Sequence, residues 1–266
     1  MMIKTHYLQE LNIQSHYIRK GDKGSDVKRV QEWIKLWSLT DKDFKTPIAI
    51  DSDFGPVTLR AVKAFQEYKG LKPDGIIGNL TWRALTNPMK EAFSFVNESE
   101  LADLIIAYCL AHTKLKAREI MPNKGSWVRA YTNGMEGTNY PWCMGFVMTI
   151  LDQAYTTLGD SFINYVPYTL SCDKIGEYAL KKKKFLRNND ILEAEKQIKP
   201  GDIFLRCSRT NSKDWTHTGF VVKVEANIIH TIEGNTNNEG SREGYEVSQR
   251  QRDLIKENLD IYHIMG

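Results

Sequence analysis

The sequence predicts an α+β protein: a small three-helix domain, then an α+β domain whose helices precede an antiparallel sheet. Three observations carry this. Apolar residues recur at helical spacing through the first third of the chain. After Pro200-Gly201-Asp202 the pattern changes to short runs rich in β-branched and aromatic residues. The length, 266 residues, fits two domains better than one or three. The expected division is 1–90, with a core over 17–87, and 97–266.

Composition sets outer bounds. Hydrophobic residues are 41% and charged residues 26%, enough apolar surface to exclude a largely disordered chain. No apolar run approaches the ~18–20 residues of a membrane helix, and the longest candidate, 104–111, is interrupted by Tyr108 and Cys109. The start, Met1 to Tyr7, has one basic residue and no apolar block behind it, so it does not read as a secretory signal. Net charge is +3, too small to argue for nucleic acid. Residues 17–87 carry thirteen Lys/Arg against nine Asp/Glu, a local +4 that suits an anionic polymer or a solvated surface.

The first helix is expected over Ser25–Trp37, with Val27, Val30, Ile34 and Trp37 inward, Ser25 as N-cap and Asp26 at the positive end of the dipole. A second runs from Pro56 to Tyr68, with Leu59, Val62 and Phe65 inward, and ends at Gly70. A third, short one covers Leu80–Leu85, and Asn87-Pro88 closes the module. Between them lies a repeat: Asp51-Ser52-Asp53-Phe54-Gly55-Pro56-Val57-Thr58 matches Asp74-Gly75-Ile76-Ile77-Gly78-Asn79-Leu80-Thr81 as Asp-x-x-x-Gly-x-x-Thr. The pattern reads as a turn closed by Asp, a glycine in a conformation closed to other residues, and a helix entry.

With Gly21-x-x-Gly24-x-x-Val27-x-x-Val30-Gln31, Ala61-Val62-x-x-Phe65-Gln66 and Thr81-Trp82-x-x-Leu85, this stretch closely resembles the three-helix peptidoglycan-binding domain of bacterial and phage cell-wall enzymes. Ser52-Asp53 departs from the family, which usually has a glycine near this turn. The resemblance implies wall binding, with Asp53, Phe54, Asp74 and Trp82 as candidate contacts.

In the second domain, helices are expected over Glu98 to about Lys116 and Cys143 to about Leu158, and Lys181–Lys184 reads as a solvated helix end. Strands follow at 203–205, 218–224, 228–232, near 245–247 and at 261–264.

There are four cysteines, Cys109, Cys143, Cys172 and Cys207, without the Cys-x-x-Cys spacing of a zinc site. A cysteine in such a chain is most often a small core hydrophobe. Cys143 differs: it stands where the loop Asn139-Tyr140-Pro141-Trp142 enters a helix, where the dipole and unpaired N–H groups favour a thiolate and can bind an oxyanion. His217 begins a strand and could serve as its base. If the strands from His217 and Ile228 form a hairpin, Glu233 or Asn235 falls beside the imidazole and can fix its tautomer; both point to one face of a regular strand, and spacing does not choose between them.

The strings Pro141-Trp142-Cys143-x-x-Phe146-Val147, Lys199-Pro200-Gly201-Asp202-Ile203, His217-Thr218-Gly219-Phe220-Val221 and Ile232-Glu233-Gly234-Asn235 resemble the CHAP and NlpC/P60 class of cysteine amidohydrolases. That resemblance implies Cys143 as nucleophile, His217 as base, Glu233 or Asn235 as third member, and Trp142 as a substrate neighbour. The order Cys, then His, then an acid or amide is that of papain-like folds, so the resemblance implies a papain-like α+β domain; no ligand spacing for a catalytic metal is present and no cofactor is expected. Met144-Gly145 follows the cysteine where small residues such as Ala are common.

The expectation is a peptidoglycan hydrolase cutting an amide, as muramoyl-L-alanine amidase or peptide endopeptidase, with peptidoglycan as partner, no nucleic acid, no membrane and a monomeric state. It would act on the bacterial wall after release at lysis, as phage endolysins do, or by a non-classical route. A non-catalytic wall-binding protein, or a thiol amidase or acyltransferase effector with another substrate, stays open.

Overall fold

A computed structural model describes residues 3–13, 17–188, 190, 198–236 and 244–264. Its elements confirm the α+β class. The helices are α1 (Ile3–Leu11), α2 (Ser25–Thr40), α3 (Pro56–Tyr68), α4 (Asn79–Ala92), α5 (Leu101–Lys114), α6 (Ser126–Tyr131), α7 (Cys143–Thr157) and α8 (Cys172–Lys181). The strands are β1 (Phe185–Leu186), β2 (Ile203–Cys207), β3 (Trp215–Glu225), β4 (Ile228–Thr236), β5 (Glu246–Asp253) and β6 (Leu259–Tyr262).

The apolar stripe of α2 is buried as expected at Val27, Val30 and Ile34, but Ser25 is its first helical residue rather than a side-chain cap. Helix α4 corrects the expected short helix. It passes through Pro88 and ends at Ala92, because Met89 and Ala92 are fully buried and hold the last turn against the core. Helices α1, α6 and α8 and the short β1 are not visible as periodic patterns.

The internal repeat is structural to its last hydrogen bond. Gln31 on α2 donates to Asp51 Oδ1, Asp53 O and Thr58 Oγ1, and its carbonyl accepts from the N–H groups of Asp51 and Ser52. Gln66 on α3 donates to Asp74 Oδ1, Ile76 O and Thr81 Oγ1 and accepts from Gly75 N–H. Each buried amide satisfies a turn that would otherwise bury unpaired backbone. The motif glycines Gly55 and Gly78 are extended, at φ −82° and −100°. The left-handed position falls instead one residue after the aspartate, at Ser52 (φ 63°) and Gly75 (φ 77°).

The helical module packs directly on the second half, and one apolar core runs through both. Helix α1 contacts α4, α6 and α7, and the rings of Trp33 on α2 and Trp127 on α6 meet edge to face with centroids 6.3 Å apart. Beside them Arg129 on α6 bonds Glu10 on α1 at 2.8 and 2.9 Å, Glu32 on α2 at 2.7 Å and Glu136 at 2.7 Å. The Glu136 carboxylate also accepts from Lys28 on α2 and from Gly125 N–H. This network joins the module to the loop that leads into α7.

The sheet has six strands in the order β1-β6-β2-β3-β4-β5, with every described pairing antiparallel. Helix α7 is buried from Cys143 to Tyr155, touching α5 on one side and β3 and β4 on the other. A helix enclosed all round reads as continuous apolar sequence rather than a stripe. No described helix is long and apolar enough to cross a membrane.

Candidate active site

Cys143 is the first residue of α7, and the Met144 N–H is directed at its sulfur. The Sγ of Cys172, the first residue of α8, lies 3.9 Å from it. His217 in β3 is 2% exposed, with Nε2 2.8 Å from Glu233 Oε2. Glu233 in β4 is fully buried and accepts from Thr231 Oγ1 at 2.6 Å and from Arg252 Nε and Nη2 at 2.8 and 2.6 Å. Arg252 on β5 continues to Glu257 at 2.7 Å. Close approach makes this possible: a Cβ on Gly219 would stand 2.8 Å from Glu233 Cγ and 2.9 Å from the Phe204 ring.

The charges follow. Burial alone would keep Glu233 neutral, but His217 and Arg252 overcome it and draw the carboxyl down to about 2. An ionised Glu233 accepts only, so His217 Nε2 carries a proton and Nδ1 is the working nitrogen. Nδ1 is buried with no hydrogen-bond partner among the described residues, yet ring and thiol lie close enough to shift each other. Burial would lower the imidazole; Cys143 and Glu233 outweigh it and raise it to about 9. The Cys143 thiol is pulled well below its ordinary range by Cys172 first, then by His217 and the Met144 N–H, against the opposing cost of burial. Burial pushes Cys109 and Cys207 the other way. The arrangement favours thiolate beside imidazolium, backed by a carboxylate.

Of the two candidates for third member, the structure brings only Glu233 to the imidazole. Asn235 takes a left-handed φ of 53° within a register shift between β4 and β5, so the strand is not regular there and the shared-face expectation fails. Its side-chain amide is buried with no partner among the described residues. Trp142, expected as a substrate neighbour, is fully buried, stacks on Tyr131 and donates to Glu119 Oε2 at 3.0 Å, so its side chain presents no surface to a ligand. In the module, Phe54 is fully buried, and Trp82 is 4% exposed with its indole donating to Leu11 O. Both are core residues. Asp74 spends one oxygen on its turn, and Asp53 pairs with Lys23 at 2.6 Å on the surface.

Of the expected contacts only Asp74 lines a surface groove of about 1000 Å³, beside Tyr17, Arg19, Lys72, Asn79 and Leu80. Tyr17 is 70% and Leu80 72% exposed. Leu80 was visible only as an apolar residue inside a helix motif, and Tyr17 lies outside the periodic pattern. Cys172 and Arg252 were likewise missed; a single cysteine and an arginine in a strand give no spacing signal.

Three other histidines have partners of their own. His230 pairs with Glu225 and His263 with Asp202, both at 2.9 Å. His112 is enclosed between Tyr131 Oη and Gln153 Oε1, and burial lowers it to about 4. No group of three His, Cys, Asp or Glu side chains that could hold a metal occurs among the described residues.

Comparison with known proteins bears on the module. Residues 23–85 match the peptidoglycan binding domain family, and this part of the chain is a peptidoglycan-binding domain. The chain is also similar to "Uncharacterized protein in bpoA1 3'region" of Kitasatospora aureofaciens, 61% identical over 69 residues, which is 26% of this chain and 53% of that protein. The matched stretch thus spans about half the length of this curated relative. No solved structure matches the chain.

Proposed function

We propose that this protein is a cysteine hydrolase of peptidoglycan, positioned on the wall by its N-terminal module. The observation that carries this reading is the line from Cys143 at the head of α7, through His217, to the buried Glu233 carboxylate. That arrangement suits amide cleavage, either as a muramoyl-L-alanine amidase or as a peptide endopeptidase. The groove beside Tyr17 and Leu80 offers an exposed ring and apolar surface for sugar or stem, and Arg19 and Lys72 offer charge for carboxylates.

In the proposed reaction the Cys143 thiolate attacks an amide carbonyl. The carbonyl electrons pass to oxygen, for which the unpaired N–H groups at the head of α7 are the available donors. The C–N bond breaks as His217 Nδ1 gives its proton to the leaving amine, and a thioester remains. The neutral imidazole then takes a proton from water, hydroxide adds to the thioester, and the carboxylic product leaves as thiolate and imidazolium re-form. Glu233 holds the ring and stabilises its charge at both proton transfers.

The test is turbidity loss of purified peptidoglycan by wild type beside Cys143→Ala, with new amino groups and reducing sugars counted. Clearing by wild type alone, with new amines and no new reducing ends, supports the reading, and mass spectrometry of the fragments names the bond. Equal clearing by both proteins overturns Cys143 as nucleophile. If neither clears while both sediment with the wall, the protein is a binder.

A further inference from the structure

We propose that Cys143 and Cys172 are a redox pair: a hydroperoxide converts them to a disulfide that switches the site off, and a thiol reductant restores it. The switching-off rests on Cys143 being the nucleophile; the disulfide itself does not. Four observations carry the inference. The two sulfurs are 3.9 Å apart in the reduced protein, roughly 2 Å beyond a disulfide bond length and within reach of side-chain rotation. Each is the first residue of its helix, so the dipole of α7 favours the Cys143 thiolate, and the Cys172 thiol at the head of α8 faces it. Cys143 and Cys172 are 5% and 7% exposed, whereas Cys109 is fully enclosed. Cys143 also has the imidazolium of His217 beside it, which Cys109 and Cys207 lack.

The chemistry balances. The Cys143 thiolate attacks one oxygen of hydrogen peroxide; an S–O bond forms, the O–O bond breaks, and hydroxide leaves as water with the proton of His217. Sulfur is oxidised by two electrons to a sulfenic acid and peroxide is reduced. Cys172 sulfur then attacks Cys143 Sγ. The S–S bond forms, the S–O bond breaks, and the hydroxyl leaves as water with the Cys172 proton. Exchange with an external dithiol reverses the bond. With Cys172 so close, capture competes with further oxidation of Cys143, which would be irreversible.

The experiment treats the full chain with a small molar excess of hydrogen peroxide, blocks remaining thiols with an alkylating reagent, and maps all four cysteines by peptide mass spectrometry, beside Cys172→Ser and Cys172→Ala. The expected result is a linked peptide pair, Cys143 with Cys172, loss of two of the four thiols, and full return on treatment with dithiothreitol. In both variants Cys143 should instead progress to the sulfinic acid and stay there after reduction. Sulfinic Cys143 in wild type with Cys172 still alkylated would overturn the pair while leaving the reactive nucleophile standing. Oxidation of Cys143 no faster than Cys109 or Cys207 would overturn both. The two variants guard against a folding defect in either one, and the mass readout needs no wall substrate.

Discussion

Replacing Arg129 by methionine removes the cation that ties the wall-binding module to the second half. Its guanidinium makes short bonds to Glu10, Glu32 and Glu136, and it is 13% exposed. The consequence is largest at Glu32, whose side chain is fully buried. Breaking a buried ion pair by removing one partner costs about 3–5 kcal/mol, because the other charge is left uncompensated. Lys28, 3.4 Å from Glu32, remains and offsets part of this, which places the expected loss near the lower figure, about 3 kcal/mol. Against a total stability of roughly 5–15 kcal/mol this is severe, and at ~2–4 °C per kcal/mol it lowers Tm by about 6–12 °C. Urea and thermal unfolding followed by tryptophan fluorescence would read it, since Trp33 and Trp127 pack across the same junction. Adding Glu32→Gln should then recover much of the loss, because the orphaned charge is gone. A loss under about 1 kcal/mol, or no recovery in the double variant, would refute the claim that this network fastens the two halves.

Four further outcomes are expected. Glu233→Gln keeps the shape but removes the charge that holds the imidazole up, so the proposed amide cleavage should fall by about 10²–10⁴ and the pH profile of Cys143 alkylation should shift; an unchanged profile would remove Glu233 from the site. Glu233 is drawn from 4.5 down to about 2, so its stabilising contribution is present above pH 4.5 and disappears as pH falls through 2. His217 is raised from 6.5 to about 9, so its contribution is complete below pH 6.5 and lost as pH rises through 9; pH-dependent denaturation should show this alkaline loss in wild type and a weaker one in Cys143→Ala. Ser52→Gly relieves a left-handed serine and should raise stability by about 0.5–1 kcal/mol, whereas Gly75→Ala, whose Cβ would meet Leu59 Cδ1 at 2.3 Å, should lower it in the same melts. Gly219→Ala should lower the proposed amide cleavage while Tm falls little, since its Cβ collides with Glu233 Cγ; retention of both would show that the carboxylate has room.

Local periodicity and short-range turn chemistry determined much of this protein in advance. The stripe of α2, the Pro56 entry of α3, the cysteine at the head of α7 and the β-branched strands after Gly201 are each written within a dozen residues, where spacing and propensity act. The Asp-x-x-x-Gly-x-x-Thr repeat was legible too, but not its physical content. The glutamines that satisfy both turns sit 20 and 8 residues from their aspartates, and the strained position is Ser52 or Gly75 rather than the motif glycine. Tertiary structure alone decided three things. It set Glu233 rather than Asn235 against the imidazole, because a left-handed residue at 235 breaks the alternation that made them equivalent. It buried Phe54, Trp82 and Trp142, because an aromatic side chain reads the same in sequence whether it packs a core or meets a ligand. And it set Cys172 beside Cys143 and Arg129 among three glutamates, since contacts between distant segments are fixed by how helices and strands pack, which leaves no trace in the spacing of any one of them.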